Sequence, residues 1–136
     1  MINSRTKLFC IIGDPVEHSY SPPMHNAAFE ALKLNNIFLA FRVNDVKSVL
    51  NGLKAINCSG IVVTIPHKVK VLTYLDYLDN SAKKIGAVNA IRNDDGKLIG
   101  TNTDWIGAIK SLEEITHLNR KKVAVLGAGG ASRAVI

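Results

Sequence analysis

Short apolar runs alternate along this chain with longer stretches in which apolar residues recur at helical spacing. Residues 7–13 (KLFCIIG) form an apolar run closed by Gly13-Asp14-Pro15, which predicts a strand ending in a turn. The pattern predicts a helix over 22–34, with Ala27, Ala28, Ala31, Leu32 and Leu34 as its apolar face. Ser21 is placed as its N-cap and Pro22 as its first residue, where a missing N–H costs nothing. A strand over 37–43 and a helix over 46–55 follow, the helix carrying Val46, Val49, Leu50 and Leu53 at helical spacing. Residues 60–64 are β-branched and uncharged, a buried strand. Pro66 opens a helical stretch that runs to Ile85 with a break around Asp79-Asn80. Residues 88–92 and 97–100 flank Asn93-Asp94-Asp95-Gly96 and read as a hairpin. A helix is predicted over 103–115, then a strand over 122–126, a turn of Gly127-Ala128-Gly129-Gly130 and the start of another helix.

Strand, helix, strand, helix, strand is the order of an α/β fold: an open, mostly parallel sheet flanked by helices, to which the hairpin adds one antiparallel strand. The last strand, glycine turn and helix predict the first βα unit of a Rossmann domain. The polar, basic stretch 117–122 is the expected boundary, giving one domain over 1–116 and the incomplete start of another over 117–136.

Composition narrows the class of protein. Of 136 residues, 47% are hydrophobic and 21% charged, which excludes disorder. The apolar run over 8–12 is too short to cross a membrane and no small-residue cleavage site follows it, so a cytoplasmic protein without a membrane partner is expected. Cys10 and Cys58 form neither a CxxC pair nor a framework, and read as two reduced thiols. The spacing of His18 and His25 matches no zinc pattern, so no metal is expected. The net charge of +6 is scattered apart from Arg120-Lys121-Lys122, and aromatics, at 6%, do not interleave with it; an anionic small molecule fits this better than nucleic acid.

Four segments carry the candidate chemistry: GDPVEHSYSPPMHN (13–26), VTIPHK (63–68), GAVNA (86–90) and GTNTDWIG (100–107). Three lie where a predicted strand ends and 86–90 leads into one. Open α/β sheets bind ligands at the carboxyl edge of their strands, so the four are expected to meet in one crevice. It would hold the hydroxyls of Ser19, Ser21 and Thr64, the amide of Asn89, the amine of Lys68 and the carboxylate of Asp104. That set suits a small ligand with several hydroxyls and one carboxylate. Lys68, two residues after Pro66, is placed in the first turn of a helix, whose dipole opposes a cation and favours the amine that proton transfer needs. Asp104 would pull the other way and orient it. Each residue also has a structural reading: Lys68 on the surface, Ser21 as a cap, Ser19 and Asn89 in turns, Asp104 in a helix first turn capped by Asn102 or Thr103. Their joint occurrence is what points to a site. In 122–136, the small residues Gly127, Ala128, Gly129, Gly130 and Ala131 would let the backbone approach a dinucleotide pyrophosphate at the helix N-terminus, with Ser132 where a third glycine of GxGxxG would stand.

In order and approximate spacing, GDPVEHSYSPPMHN, VTIPHK, GAVNA, NTDWIG and GAGGASRA resemble the shikimate dehydrogenases, from about Lys7 to the end of the chain. The resemblance implies reversible reduction of 3-dehydroshikimate to shikimate with NADPH, a step of aromatic amino-acid biosynthesis, with 1–116 as the shikimate-binding domain. It implies that Ser19 and Ser21 bind the carboxylate, and that Thr64, Asn89 and Asp104 hold the ring hydroxyls and reacting end. Lys68 would be the acid/base residue paired with Asp104, and Gly127 to Ala131 would cradle NADP. Serine at both 19 and 21 favours shikimate over quinate, and a homodimer is compatible with the family. Three departures stand out: Ala90 in place of a usual threonine, Asn80 in place of a frequent acid, and an end at Ile136, inside the first helix of the nucleotide domain. A chain of this extent is expected to be inactive alone. A non-catalytic shikimate-binding fragment and a quinate/shikimate dehydrogenase using NAD are the alternatives.

Overall fold

The computed structural model describes residues 2–136. In chain order the elements are β1 (Lys7–Gly13), α1 (Ser21–Ala31), β2 (Asn36–Arg42), α2 (Val46–Ala55), β3 (Gly60–Val63), a 3-10 helix (Lys70–Tyr74), β4 (Tyr77–Leu78), α3 (Asn80–Ile85), β5 (Ala90–Asp94), β6 (Lys97–Thr101), α4 (Asp104–Glu113) and α5 (Gly130–Val135). The six strands form one sheet in the order β2-β1-β3-β5-β6-β4. β1 is parallel to β2 and β3, β4 is parallel to β6, and β5 runs antiparallel to both its neighbours. This is the open, mostly parallel sheet with a single antiparallel hairpin strand that the pattern predicts.

Alternation along β1 explains why the sheet is covered on both faces. Cys10 and Ile12 point to one side, into a core shared with Val46, Leu50 and Leu53 of α2, Ile61 and Val63 of β3, Ile91 of β5 and Leu98 of β6. Ile11 points to the other, against Val16 and Phe38, with Phe9, Phe29 and Val62 beside them. α2 forms where the spacing places it, and the Asp45 carboxylate caps it by accepting the N–H groups of Lys47 and Ser48. Cys10 and Cys58 are both buried and free, their sulfurs 3.9 Å apart. The hydrogen bond to Cys58 and burial push the Cys10 thiol far up from its ordinary range.

Four expectations need correction. The predicted apolar face of α1 is not its packing face: Ala27, Ala28, Ala31, Leu32 and Leu34 are all exposed. His25, Asn26 and Phe29 dock the helix instead. The His25 ring stacks 4.2 Å from Phe38, and the Phe29 ring lies 5.2 Å from Phe9. The Asn26 amide donates to the Phe38 carbonyl and its oxygen accepts the Phe38 N–H, both at 2.9 Å. Polar groups do this work because α1 packs where backbone groups, not only side chains, need partners. Ser21 is not the N-cap: Tyr20 takes that position, and the helix has no side-chain cap. The Ser19 hydroxyl accepts the Ser21 N–H at 3.2 Å.

Residues 66–85 do not form one interrupted helix. They run through a turn, the 3-10 helix, β4 and α3. Val69, Val71 and Thr73 are β-branched, and the backbone of this stretch is claimed from outside: the Lys68 carbonyl by Val88 N–H, while the Asp76 N–H goes to Leu98 and the Asp79 N–H to Gly100. Residues 122–126 form no strand, with Val123 70% and Leu126 97% exposed. A strand exists only beside a neighbour, and among the described residues none pairs with this segment.

Asp79 ties α3 to the hairpin. It caps α3 by accepting the Ala82 N–H at 2.8 Å, and also accepts the hydroxyls of Ser81 and Thr101. Burial pushes its carboxyl up, but the hydrogen bonds from Ala82, Thr101 and Ser81 outweigh that and hold it below the usual carboxylate range. The folded chain therefore binds this proton more weakly than the unfolded chain. The stabilisation is complete above the unfolded carboxylate value of about 4 and is lost as pH falls through the folded value. Asp79→Ala is expected to lower stability in urea by about 2 kcal/mol at pH 7, from the lost cap and the orphaned donors, and by less once the pH has fallen through the folded value of Asp79. An equal loss at both would remove the carboxylate from this role.

Candidate active site

Lys68 sits in the turn that leaves β3, with its carbonyl accepting the Val88 N–H at 2.7 Å. Asp104 is the first residue of α4. Their side chains meet across 36 positions of sequence, the Lys68 amine donating to Asp104 Oδ2 at 2.6 Å. The pair is largely shielded, with the side chains 16% and 27% exposed. The other oxygen, Asp104 Oδ1, accepts the Asn89 amide at 2.8 Å. Asn89 also accepts the Thr103 N–H and donates to the Thr103 hydroxyl, each at 2.9 Å, so it joins the strand entry at β5 to the start of α4. One carboxylate thus takes one donor per oxygen, which fixes both the amine and the amide in direction. Segments 63–68, 86–90 and 100–107 converge here as expected. The reason given for Lys68 does not hold, because no helix starts at Pro66: Lys68 lies in a turn that precedes the 3-10 helix, not in the first turn of an α-helix.

Two supporting residues escape the sequence reading in their actual roles. Asn102, only 1% exposed, accepts the Asp104 N–H and donates to the Ala87 carbonyl, both at 3.0 Å. The pattern gives it only a capping role. His67, 4% exposed, lies next to Lys68 and its Nε2 donates to the Val43 carbonyl at 2.7 Å, which ties the lysine turn to the end of β2. The signal available was its place between Pro66 and Lys68; the acceptor, 24 residues away, was not readable.

The serine segment lies at the carboxyl end of β1. A cleft of about 200 Å³ there is lined by Ile11, Pro15, Val16, His18, Ser19 and Thr64. The loops after β1 and β3 touch: a side chain on Gly13 would run into the Thr64 methyl and reach 3.0 Å from the Ile65 carbonyl. Ser19 and Thr64 therefore share one cleft, and Thr64 belongs to the same loop as Lys68. Ser21 is half-buried two residues further on and is not among the cleft's lining residues. Among the described residues, no hydrogen bond joins the serines to the Lys68–Asp104–Asn89 cluster. A larger cavity of about 610 Å³ lies elsewhere, between α3, α4 and α5, against Ile85, Trp105, Ile109 and Arg133, and holds none of the candidate residues; Asn80 lines it.

The glycine turn precedes α5. Gly127 has φ +115°, a conformation that favours glycine, and Gly129 is the N-cap of α5. Gly127, Ala128, Gly129 and Ala131 are exposed and Gly130 is half-buried. Arg133 of α5 donates to the Gly86 carbonyl at 3.4 Å.

Known proteins resemble this chain in sequence and in fold. The family model of the shikimate dehydrogenase substrate binding domain matches residues 11–91. The chain is 53% identical over 138 residues to a shikimate dehydrogenase (NADP(+)) of Methanococcus aeolicus, covering 99% of this chain and 50% of that protein. The crystal structure of shikimate dehydrogenase from Aquifex aeolicus superposes with a TM-score of 0.97 at 47% identity, over 100% of this chain and 52% of that one. Shikimate 5-dehydrogenase from Listeria monocytogenes, crystallised with shikimate and NAD, gives 0.89 at 42% identity, over 98% and 47%. The chain spans about half the length of the curated relatives it matches. With its sheet, its strand-end segments and more than half of its residues inside the family model, this chain belongs to the shikimate dehydrogenase substrate-binding-domain family.

Proposed function

We propose that this chain supplies the substrate half of a shikimate dehydrogenase that reversibly reduces 3-dehydroshikimate to shikimate with NADPH. The observation that carries the reading is the Lys68–Asp104–Asn89 cluster, held on the same sheet edge as the Ser19–Thr64 cleft. Residues 1–116 form the shikimate-binding domain in this reading, and 117–136 begin the NADP-binding domain. Ser19 and Ser21 take the substrate carboxylate, and Thr64, Asn89 and Asp104 take ring hydroxyls. Lys68 donates a proton to the ketone oxygen as negative charge develops there, and recovers it in the reverse direction. Asp104 keeps the amine aimed at that oxygen, so little reorganisation is needed during the step. The bare, exposed backbone of Gly127 and Gly129 fits the close approach of a pyrophosphate, and Gly127 to Ala131 would hold that group. Bound NADPH supplies the hydride. The proposed setting is cytoplasmic; no helix among the described residues is long and apolar enough to cross a membrane.

The test follows NADPH absorbance with shikimate and NADP+. A protein of the relatives' length that carries this sequence is expected to turn over. The 136-residue chain is expected to give no NADPH, yet to bind shikimate with a change in the fluorescence of its single tryptophan, Trp105, next to Asp104. Absence of both turnover in the longer protein and binding in the chain would sink the reading. The Listeria relative's complex with NAD keeps a second reading open, a quinate/shikimate dehydrogenase using NAD. Comparing quinate with shikimate, and NAD with NADP, on the longer protein decides between them.

A further inference from the structure

The glycines before α5 are not equivalent. A Cβ placed on Gly130 would lie 2.9 Å from Lys68 Cβ, 3.5 Å from its Cδ and 3.6 Å from Ala87 Cβ. A Cβ on Gly129 would meet nothing within 4 Å, and one on Gly127 would meet only Ser132 Oγ, at 3.6 Å. Gly130 is helical, the first residue of α5, so space and not backbone freedom is what glycine provides there. The contact is with the root of the lysine side chain, which cannot swing aside without moving the turn that carries it. That turn is pinned, its carbonyl by Val88 N–H at 2.7 Å and its neighbour His67 by the Val43 carbonyl at 2.7 Å. α5 is held against the same stretch by Arg133 on the Gly86 carbonyl, and Ala87 is fully buried beneath it.

We infer that Gly130 is a positioning residue for Lys68: its bare backbone is one wall of the slot through which the lysine stem reaches Asp104. The glycine turn and the reaction lysine are then set as one unit, so a displacement at the start of α5 is passed to the amine 2.6 Å from Asp104. The inference rests on the function proposed above and goes beyond it, because it gives Gly130 a role distinct from holding a pyrophosphate. A methyl group here moves the lysine root by a fraction of an ångström, and misplacing a reacting group on that scale lowers turnover steeply.

Two measurements test this. In a protein of the relatives' length carrying this sequence, Gly130→Ala is expected to lower kcat by about 10- to 100-fold, a larger factor than the one by which it raises the KM for NADP. A pyrophosphate role alone gives the opposite split, a raised KM with kcat retained, and that result overturns the inference. The second measurement needs no turnover. In the 136-residue chain, Gly130→Ala is expected to lower the melting temperature when Lys68 is present. In a Lys68→Gly background it should raise it, as alanine for a helical glycine ordinarily does. Equal shifts in both backgrounds overturn the inference. A longer protein that is inactive before any substitution would count against the proposed function, and the thermal coupling would still decide on Gly130.

Discussion

Lys68→Ala is expected to cut turnover by about 100- to 10,000-fold in a protein of the relatives' length that carries this sequence, the range for loss of a positioned proton donor. Shikimate affinity is expected to stay within about fivefold, since a group acting mainly in the transition state lowers kcat more than binding. The expectation follows from the geometry of the cluster. The Lys68 amine is its one cationic group, it is largely shielded, and its partner oxygen on Asp104 is 2.6 Å away. Ser19, Thr64 and Asn89 do not hydrogen-bond to it, so the rest of the cleft survives its loss. Steady-state kinetics set beside calorimetric titration with shikimate measures both quantities. An unchanged kcat would take Lys68 out of the proton-transfer role.

Asp104→Ala is expected to act differently, lowering kcat/KM by about 100- to 1,000-fold through both parameters. Asp104 is the shared acceptor of the cluster, and its removal leaves the Lys68 amine without its carboxylate and Asn89 without one of its acceptors. Hydrogen bonds to charged groups are worth about 1.5–3 kcal/mol each, so the two lost here come to about 3–6 kcal/mol; at about 1.4 kcal/mol per tenfold, the lower part of that span gives the expected range. Asp104→Asn keeps an acceptor oxygen and is expected to lose about tenfold less than alanine does. If Asp104→Ala retained its full kcat/KM, the pair would be an ordinary surface ion pair of little consequence.

The elements that the pattern locates well are those whose local signals are strong and agree with the contacts they make. α2 has apolar residues at helical spacing and an aspartate at its cap, and both signals agree. β1 and β3 are apolar runs closed by turn residues, and both are interior strands of the sheet. The pattern fails where partners come from elsewhere. α1 docks through His25 and Asn26, whose use depends on the backbone of Phe38. Residues 66–78 give their backbone groups to loops and strands far along the chain, and β4, two residues long, exists only beside β6. The same division holds at the cluster. That Lys68 and Asp104 meet is legible from two segments placed at strand ends, whereas the turn beneath Lys68 is not, because His67 and Asn102 depend on distant carbonyls.

The paired bonds from Asn26 to Phe38 have a consequence for the sheet's outer border. β2 is the terminal strand, and a terminal strand normally offers a row of free donors and acceptors on which another chain can grow. Here a side-chain amide plays the part of a neighbouring strand at Phe38, the third of that strand's seven residues, and occupies both of its groups. An incoming peptide would find the ladder interrupted within its first half, with only short stubs on either side. The opposite border, β4, is two residues long and gives no better template. Asn26 thus closes the longer open border of the sheet to strand-templated assembly, without a covering helix laid along its whole length.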